Sequence, residues 1–193
     1  MLFVTGCSSI LAPQPDPARF YLIAPMAGDA RTAAARNDLS IGVGPVNLPE
    51  YVQRQALVVR TSPTEVRPSD IDYWAEPLGQ NVTRVLGENL GALVGTDRIF
   101  AFPSPGILKT DYQVVVTFLN FEQDSAHQGV LSARWEIRVP KSETVLITRV
   151  TSVTKPAAGA GMDGGVAALS AALADLSRDI AAAVPAHTGR PSH

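Results

Sequence analysis

Two runs of apolar residues at helical spacing, one on each side of a set of alternating segments, constrain this chain more than any other feature. The first is Trp74, Leu78, Val82, Val85, Leu86, Leu90 and Leu93, spaced by threes and fours with one adjacent pair. That spacing makes one stripe along an amphipathic helix. The second is Val166, Leu169, Leu173, Leu176, Ile180 and Val184. Between them, Tyr112 to Phe121 is rich in Val and aromatics, and two further segments alternate. Leu131, Ala133, Trp135, Ile137 and Val139 share one face of Val130 to Val139, and Val145 to Val153 follows with the same period. A period of two marks half-buried strands. One-sided helices must cover something apolar, and a sheet supplies it. The expected fold is α/β: a mixed, largely antiparallel sheet with two long helices packed on one face.

Local signals place the boundaries. Ser69 or Asp70 is a candidate cap, Pro77 suits a first turn, and Gly95 follows the last periodic residue, so the first helix is expected over about 76–94. The second is expected over about 163–184, stopped by Pro185. Shorter strands are expected at Phe20 to Ile23, Leu39 to Val46, Ala56 to Thr61, Thr64 to Arg67 and Arg98 to Phe102, with a hairpin at Ser62-Pro63. Pro45 moves the end of its strand to an edge or a bend, because it has no N–H for a ladder. The expected organisation is residues 1–7 as the remnant of a signal peptide, 8–19 as a tether stiffened by Pro13, Pro15 and Pro17, 20–184 as one domain, and 185–193 as a polar tail.

The sole cysteine, Cys7, lies in Val4-Thr5-Gly6-Cys7-Ser8-Ser9. An apolar run, a small residue and then a lone Cys looks like a bacterial lipobox, in which the thiol becomes a thioether to diacylglycerol. Several acyl chains anchor stably, since each buried CH₂ contributes about 0.8 kcal/mol. Six residues without Lys or Arg precede Cys7, so the basic n-region of a signal peptide is expected upstream. No stretch approaches the roughly 20 apolar residues of a membrane span, which leaves Cys7 as the membrane link. A net charge of −2 offers no footprint for nucleic acid, and one Cys excludes an intrachain disulfide framework or a zinc knuckle. The acyl group on Cys7 is the only non-protein component expected.

Candidate chemistry is sparse. Gly159-Ala160-Gly161-Met162-Asp163-Gly164 matches the glycine spacing of a dinucleotide fingerprint and precedes a helix. A dinucleotide fold needs another parallel strand after that helix, and the chain has none left, so the stretch reads as a linker. His127, His187 and His193 fall in a hairpin turn and the tail. Ser104 lacks the strand-turn-helix elbow of a nucleophile. Glu76 with Asp72 reads as capping or solvated charge, and Trp74 and Trp135 as core anchors. The chain is not expected to be an enzyme.

Several blocks, in order, resemble one family. Ile41-Gly42-Val43-Gly44-Pro45-Val46-Asn47-Leu48-Pro49-Glu50-Tyr51-Val52-Gln53-Arg54 is similar to the "VGPVxLPxYLDRP" block of the PqiC, or ABC-type transport auxiliary, lipoproteins. Trp74-Ala75-Glu76-Pro77-Leu78 with Val85 to Leu90 resembles the "WAEPL…VLxxNL" helix, and Tyr21-Leu22 the opening "YxL". Tyr112 to Phe118 with Leu131 to Trp135 resembles "YxVxVxVxxF…LxAxW", and Ala167 to Ala181 the closing "ALxxLSxxIA". Gln55 departs from the family's Pro, and Gly159 to Gly165 replaces a Tyr-containing segment. The resemblance implies an outer-membrane lipoprotein facing the periplasm. Its implied partners are an MCE-domain protein, which forms a lipid tunnel, and an inner-membrane permease. It further implies a homo-oligomeric ring that docks the tunnel at the outer membrane, and Ser8 after Cys7 fits outer-membrane sorting. Within the domain, Gly42, Gly44, Pro45, Leu48 and Pro49 are the expected subunit or partner contact, because a strand bent by Pro45 exposes backbone for another chain. The alternative is a periplasmic lipoprotein that itself binds a small lipid or metabolite, which a deep apolar pocket would favour.

Overall fold

A computed structural model describes residues 17–26, 36 and 38–185. Cys7, most of the tether, His187 and His193 lie outside the described residues. The strands are β1 (Arg19–Tyr21), β2 (Ile41–Asn47), β3 (Ala56–Ser62), β4 (Glu65–Trp74), β5 (Ile99–Ala101), β6 (Tyr112–Asp124), β7 (Gly129–Val139) and β8 (Thr144–Lys155). The helices are α1 (Leu78–Val94) and α2 (Gly161–Ala183).

The chain is α/β and its sheet is mixed, but it is not largely antiparallel. Hairpins join β3 to β4 and run β6, β7 and β8 as a meander, and these pairs are antiparallel. The four other pairings, β1–β4, β2–β5, β2–β6 and β3–β6, are parallel. The reason lies in the connections. Strands joined by a tight turn must reverse, whereas strands brought together by a crossover, such as the β2-to-β5 connection that contains α1, can run the same way. Periodicity reports which face of a strand is buried and carries no information about direction.

β6 is the spine. β7 lines one of its sides from Gln113 to Gln123. The other side is shared: β2 pairs along Tyr112 to Thr117, and β3 touches only Gln123 and Asp124. The sheet therefore forks beyond β6 into an arm of β2–β5 and an arm of β3–β4–β1. At the opposite end β8 pairs with β7 alone.

Both helices pack into one core with the inner residues of the strands. Val82, Val85, Leu86 and Leu90 of α1 and Leu169, Leu173, Leu176 and Ile180 of α2 join Val114, Val116, Leu131, Trp135 and Ile137 there. At Gly129 helix and sheet backbones come close: a Cβ there would sit 2.6 Å from the backbone at Ala168 and Leu169.

The C-terminal ends of α1 and α2 follow the sequence signals, while the start of α1 departs from them: Pro77, expected in the first turn, stands just before the helix with extended backbone, φ −53° and ψ 122°. Gly95 closes α1 in the left-handed conformation, φ 80°, a backbone geometry glycine adopts without strain. Ser69 and Asp70 do not cap α1. They lie in β4, which continues to Trp74, and α1 begins only at Leu78, after Pro77. The Ser69 hydroxyl accepts from the Asp72 N–H (3.1 Å) and donates to its carboxylate (2.7 Å). This local pattern imitates a cap inside a strand.

Candidate interaction surface

β2 carries the segment that the sequence singles out. Over Ile41 to Val43 it is an interior strand between β5 and β6. Its register on β6 then shifts between Val43 and Val46, around a cis Gly44-Pro45 bond. β5 has ended by that point, so Val46 and Asn47 pair with β6 on one side only. Pro45 thus bends an interior strand and leaves its last residues with an open edge.

The shift is built in from three sides. Gly44 has φ +107°, and a Cβ there would lie 2.7 Å from the Phe102 Cβ. A Cβ on Gly42 would collide with the Ile107 side chain. The carbonyl of Gly44 accepts from the buried Gln113 side chain (2.7 Å), whose own oxygen accepts from Arg138 (3.0 Å). Leu48 is buried in the core and Pro49 is half-buried, while Asn47 is exposed. Of the five residues expected at a contact, Gly42, Gly44 and Leu48 thus lie inside the protomer, and Pro45 and Pro49 reach its surface.

Behind Pro49 the chain is pinned by a charged network that periodicity does not reveal. The buried Glu122 carboxylate accepts from the Tyr51 hydroxyl (2.7 Å), Arg60 Nε (2.6 Å), Asn120 (3.2 Å) and the Phe121 N–H (2.9 Å). Burial first, and then the Glu122 carboxylate, raises the Tyr51 phenol above its ordinary value. Glu122 also holds the Arg60 guanidinium more firmly protonated. In the sequence Glu122 sits among Asn120, Gln123 and Asp124 at the end of β6, so it reads like an ordinary polar strand end.

A groove of about 1160 Å³ opens between α1 and the β2–β5 arm of the sheet. Pro45 to Asn47 form its floor, and Phe102 and Pro103, after β5, form one lip. The small face of α1, Gly79, Thr83, Gly87 and Gly91, makes its wall. Glu88 and Asp97 lie at its rim, and Arg84 there is paired with Glu76 and Glu88. The groove is broad and open to solvent.

The residues considered for chemistry have structural partners. Ser104 accepts from the Gly106 N–H (3.2 Å) and caps a short 3-10 turn. His127 has φ 57° in the β6–β7 turn and contacts the Gln123 side chain (3.1 Å). Asp72 binds Arg19 and Glu76 binds Arg84, so the two carboxylates do not act as a pair. Trp74 and Trp135 are buried in the core, and the Trp135 indole donates to Thr151 (3.0 Å). The fingerprint-like glycines fold onto α2, where the Gly159 carbonyl lies against the Cα of Gly164 and leaves no room for a Cβ. The strand before them, β8, is an antiparallel edge. Among the described residues no three His, Cys, Asp or Glu side chains converge as metal ligands, and no helix is long and apolar enough to cross a membrane.

The fold is shared. A crystal structure of an uncharacterized protein superposes with TM-score 0.70 at 21% identity, covering 86% of this chain and 97% of the other. A Xanthomonas campestris protein of family DUF330 superposes with TM-score 0.70 at 15% identity, covering 85% and 93%. No curated protein matches the sequence. The sequence profile described as "ABC-type transport auxiliary lipoprotein component" matches residues 21–181, from β1 to the last turn of α2. With that span matched and the fold shared, the chain belongs to the ABC-type transport auxiliary lipoprotein family.

Proposed function

We propose that this chain is a non-enzymatic, outer-membrane lipoprotein facing the periplasm, acylated on Cys7. In this reading it is the docking or scaffold subunit of an MCE-type lipid transport system. It assembles as a homo-oligomer and works with an MCE-domain tunnel protein and an inner-membrane permease. The observation that carries the reading is the family match over residues 21–181, joined to the lipobox arrangement around Cys7. The anchor precedes a Pro-rich segment, and the domain's first strand, β1, is bound to β4 and locked by the Arg19–Asp72 ion pair (2.7 Å). A pull on the anchor is thereby delivered to the sheet. The open groove, with charge at its rim, suits a polypeptide better than an acyl chain, which favours docking over direct lipid binding. The test is expression in a bacterial host of the chain behind a lipoprotein signal peptide, with and without Cys7→Ser. The unaltered chain incorporates labelled fatty acid, fractionates with outer membranes and co-purifies with the MCE protein. The variant loses label and membrane association. A chain that carries no acyl group and stays in the soluble fraction refutes the reading.

A further inference from the structure

The two extremes of the sheet are complementary, and we propose that they join copies of this chain head to tail: the β7–β8 end of one protomer seats in the groove of the next. The inference rests on the oligomeric reading above and adds the surfaces that make it.

At the β8 end, the β7–β8 register shifts so that Leu146 has no partner between Val145, opposite Arg138, and Ile147, opposite Ile137. An extra residue of this kind re-aims a side chain. As a result two consecutive apolar residues, Val145 (48% exposed) and Leu146 (44%), stand in solvent, with Val150 (57%) further along the same strand. β8 spans twelve residues and has a free edge. Arg134, Arg138, Lys141 and Arg149 against Glu136 and Glu143 give this end a formal charge of +2.

The groove at the other end offers the counterpart. Its floor has the open edge of Val46 and Asn47, and its lip has Phe102, 50% exposed. Glu88 and Asp97 against Arg84 give the groove lining a formal charge of −1. An acyl chain would leave the open backbone edge without hydrogen-bond partners, whereas a strand end satisfies it. The opposite charges favour this orientation. Because the two surfaces lie at different ends of one sheet, the contact is heterologous, and a set of such contacts closes into a ring when the rotation allows.

The test uses the full chain carrying Cys7→Ser, so that acylation plays no part, and reads its mass in solution. Leu146→Asp blocks one surface and Phe102→Asp the other; both side chains are exposed, and unchanged circular dichroism verifies folding. Thr83→Trp, which fills the groove from α1, is the second groove variant. Each blocked chain is expected to run as a monomer under conditions where the reference chain is oligomeric. An equal mixture of Leu146→Asp and Phe102→Asp retains one intact pair of surfaces, and gives a dimer and nothing larger. If the reference chain is oligomeric and the blocked chains keep its mass, or their mixture stays monomeric, the surfaces are wrong while the oligomeric reading stands. If the reference chain is monomeric at every concentration, both fail.

Discussion

At the scale of single residues, Glu122 is the most demanding position in the protein. Four donors converge on its buried carboxylate, and removing the acceptor takes a partner from the Arg60 guanidinium, the Tyr51 phenol, the Asn120 amide and the Phe121 N–H together. Glu122→Leu is expected to destabilise by about 2–4 kcal/mol, read as a lower urea midpoint. The same site sets an alkaline limit. Burial and then Glu122 raise Tyr51 above 10.0, and burial and then Asp72 raise Tyr21. The native state therefore holds these protons more tightly than the unfolded chain. Their contribution is complete below pH 10.0 and is lost as pH climbs through the raised native values. Urea midpoints measured from pH 8 upward should fall beyond about pH 10 and fall less steeply in Tyr51→Phe; equal slopes would exclude Tyr51 as a source. Glycines divide by their surroundings. Gly129→Ala drives a Cβ into helix backbone and should cost about 1–3 kcal/mol. Gly79→Ala meets only Leu48 Cδ1 at 3.8 Å. It should gain about 0.4–1 kcal/mol through a less flexible unfolded chain. Thermal melts of the pair give shifts of opposite sign.

At the scale of elements, α1 does more than cover the sheet. Asn81 exchanges two hydrogen bonds with the backbone of Ile23, accepting from its N–H (2.6 Å) and donating to its carbonyl (3.2 Å). Asn89 accepts from the Met26 N–H (2.9 Å) and donates to Ser177 of α2 (3.1 Å). Two buried amides on one helix thus hold the segment after β1 and the partner helix. Asn81→Leu is expected to cost about 2 kcal/mol and to speed amide exchange at residues 21–24 selectively; uniform acceleration throughout the domain would contradict a local tie. These amides explain how much of the elements was legible. The apolar stripes located both helices and the meander because burial imposes a period on the chain. Asn81 and Asn89 fall on the buried side of the α1 stripe, yet an Asn there looks like any interruption until its partner, 58 or 63 residues away, is known. Ser69 misled for the converse reason: its short-range hydrogen bonds are the same in a strand turn as at a helix start.

At the scale of the whole molecule, one core joins both helices to the central strands, with Trp74 and Trp135 in it. A single core of this size unfolds as a unit. Fluorescence of Trp74→Phe and Trp135→Phe, each leaving one reporter, should give within each variant a urea transition coincident with its own circular dichroism; an earlier phase seen by Trp74 alone would show the β1–β4 arm opening first. The arms are where the candidate site arises. The groove lies between α1 and the end of β2, where β5 has stopped after three residues. The Gly42 to Pro49 block was readable as a bend because Pro45 has no N–H. Its surroundings, Phe102 from after β5 and Thr83 from α1, come from chain segments with no sequence relation to it.

By itself, the sequence determined the two helices, the β6–β8 meander, the bend at Pro45 and the family, because burial periodicity and backbone chemistry act over a few residues and are written there. Only the tertiary structure decided that most pairings run parallel, that the sheet forks at β6, and that Glu122 collects Tyr51 and Arg60. Each of these depends on which distant segments share one strand edge or one buried charge, and a local pattern carries no record of a partner far along the chain.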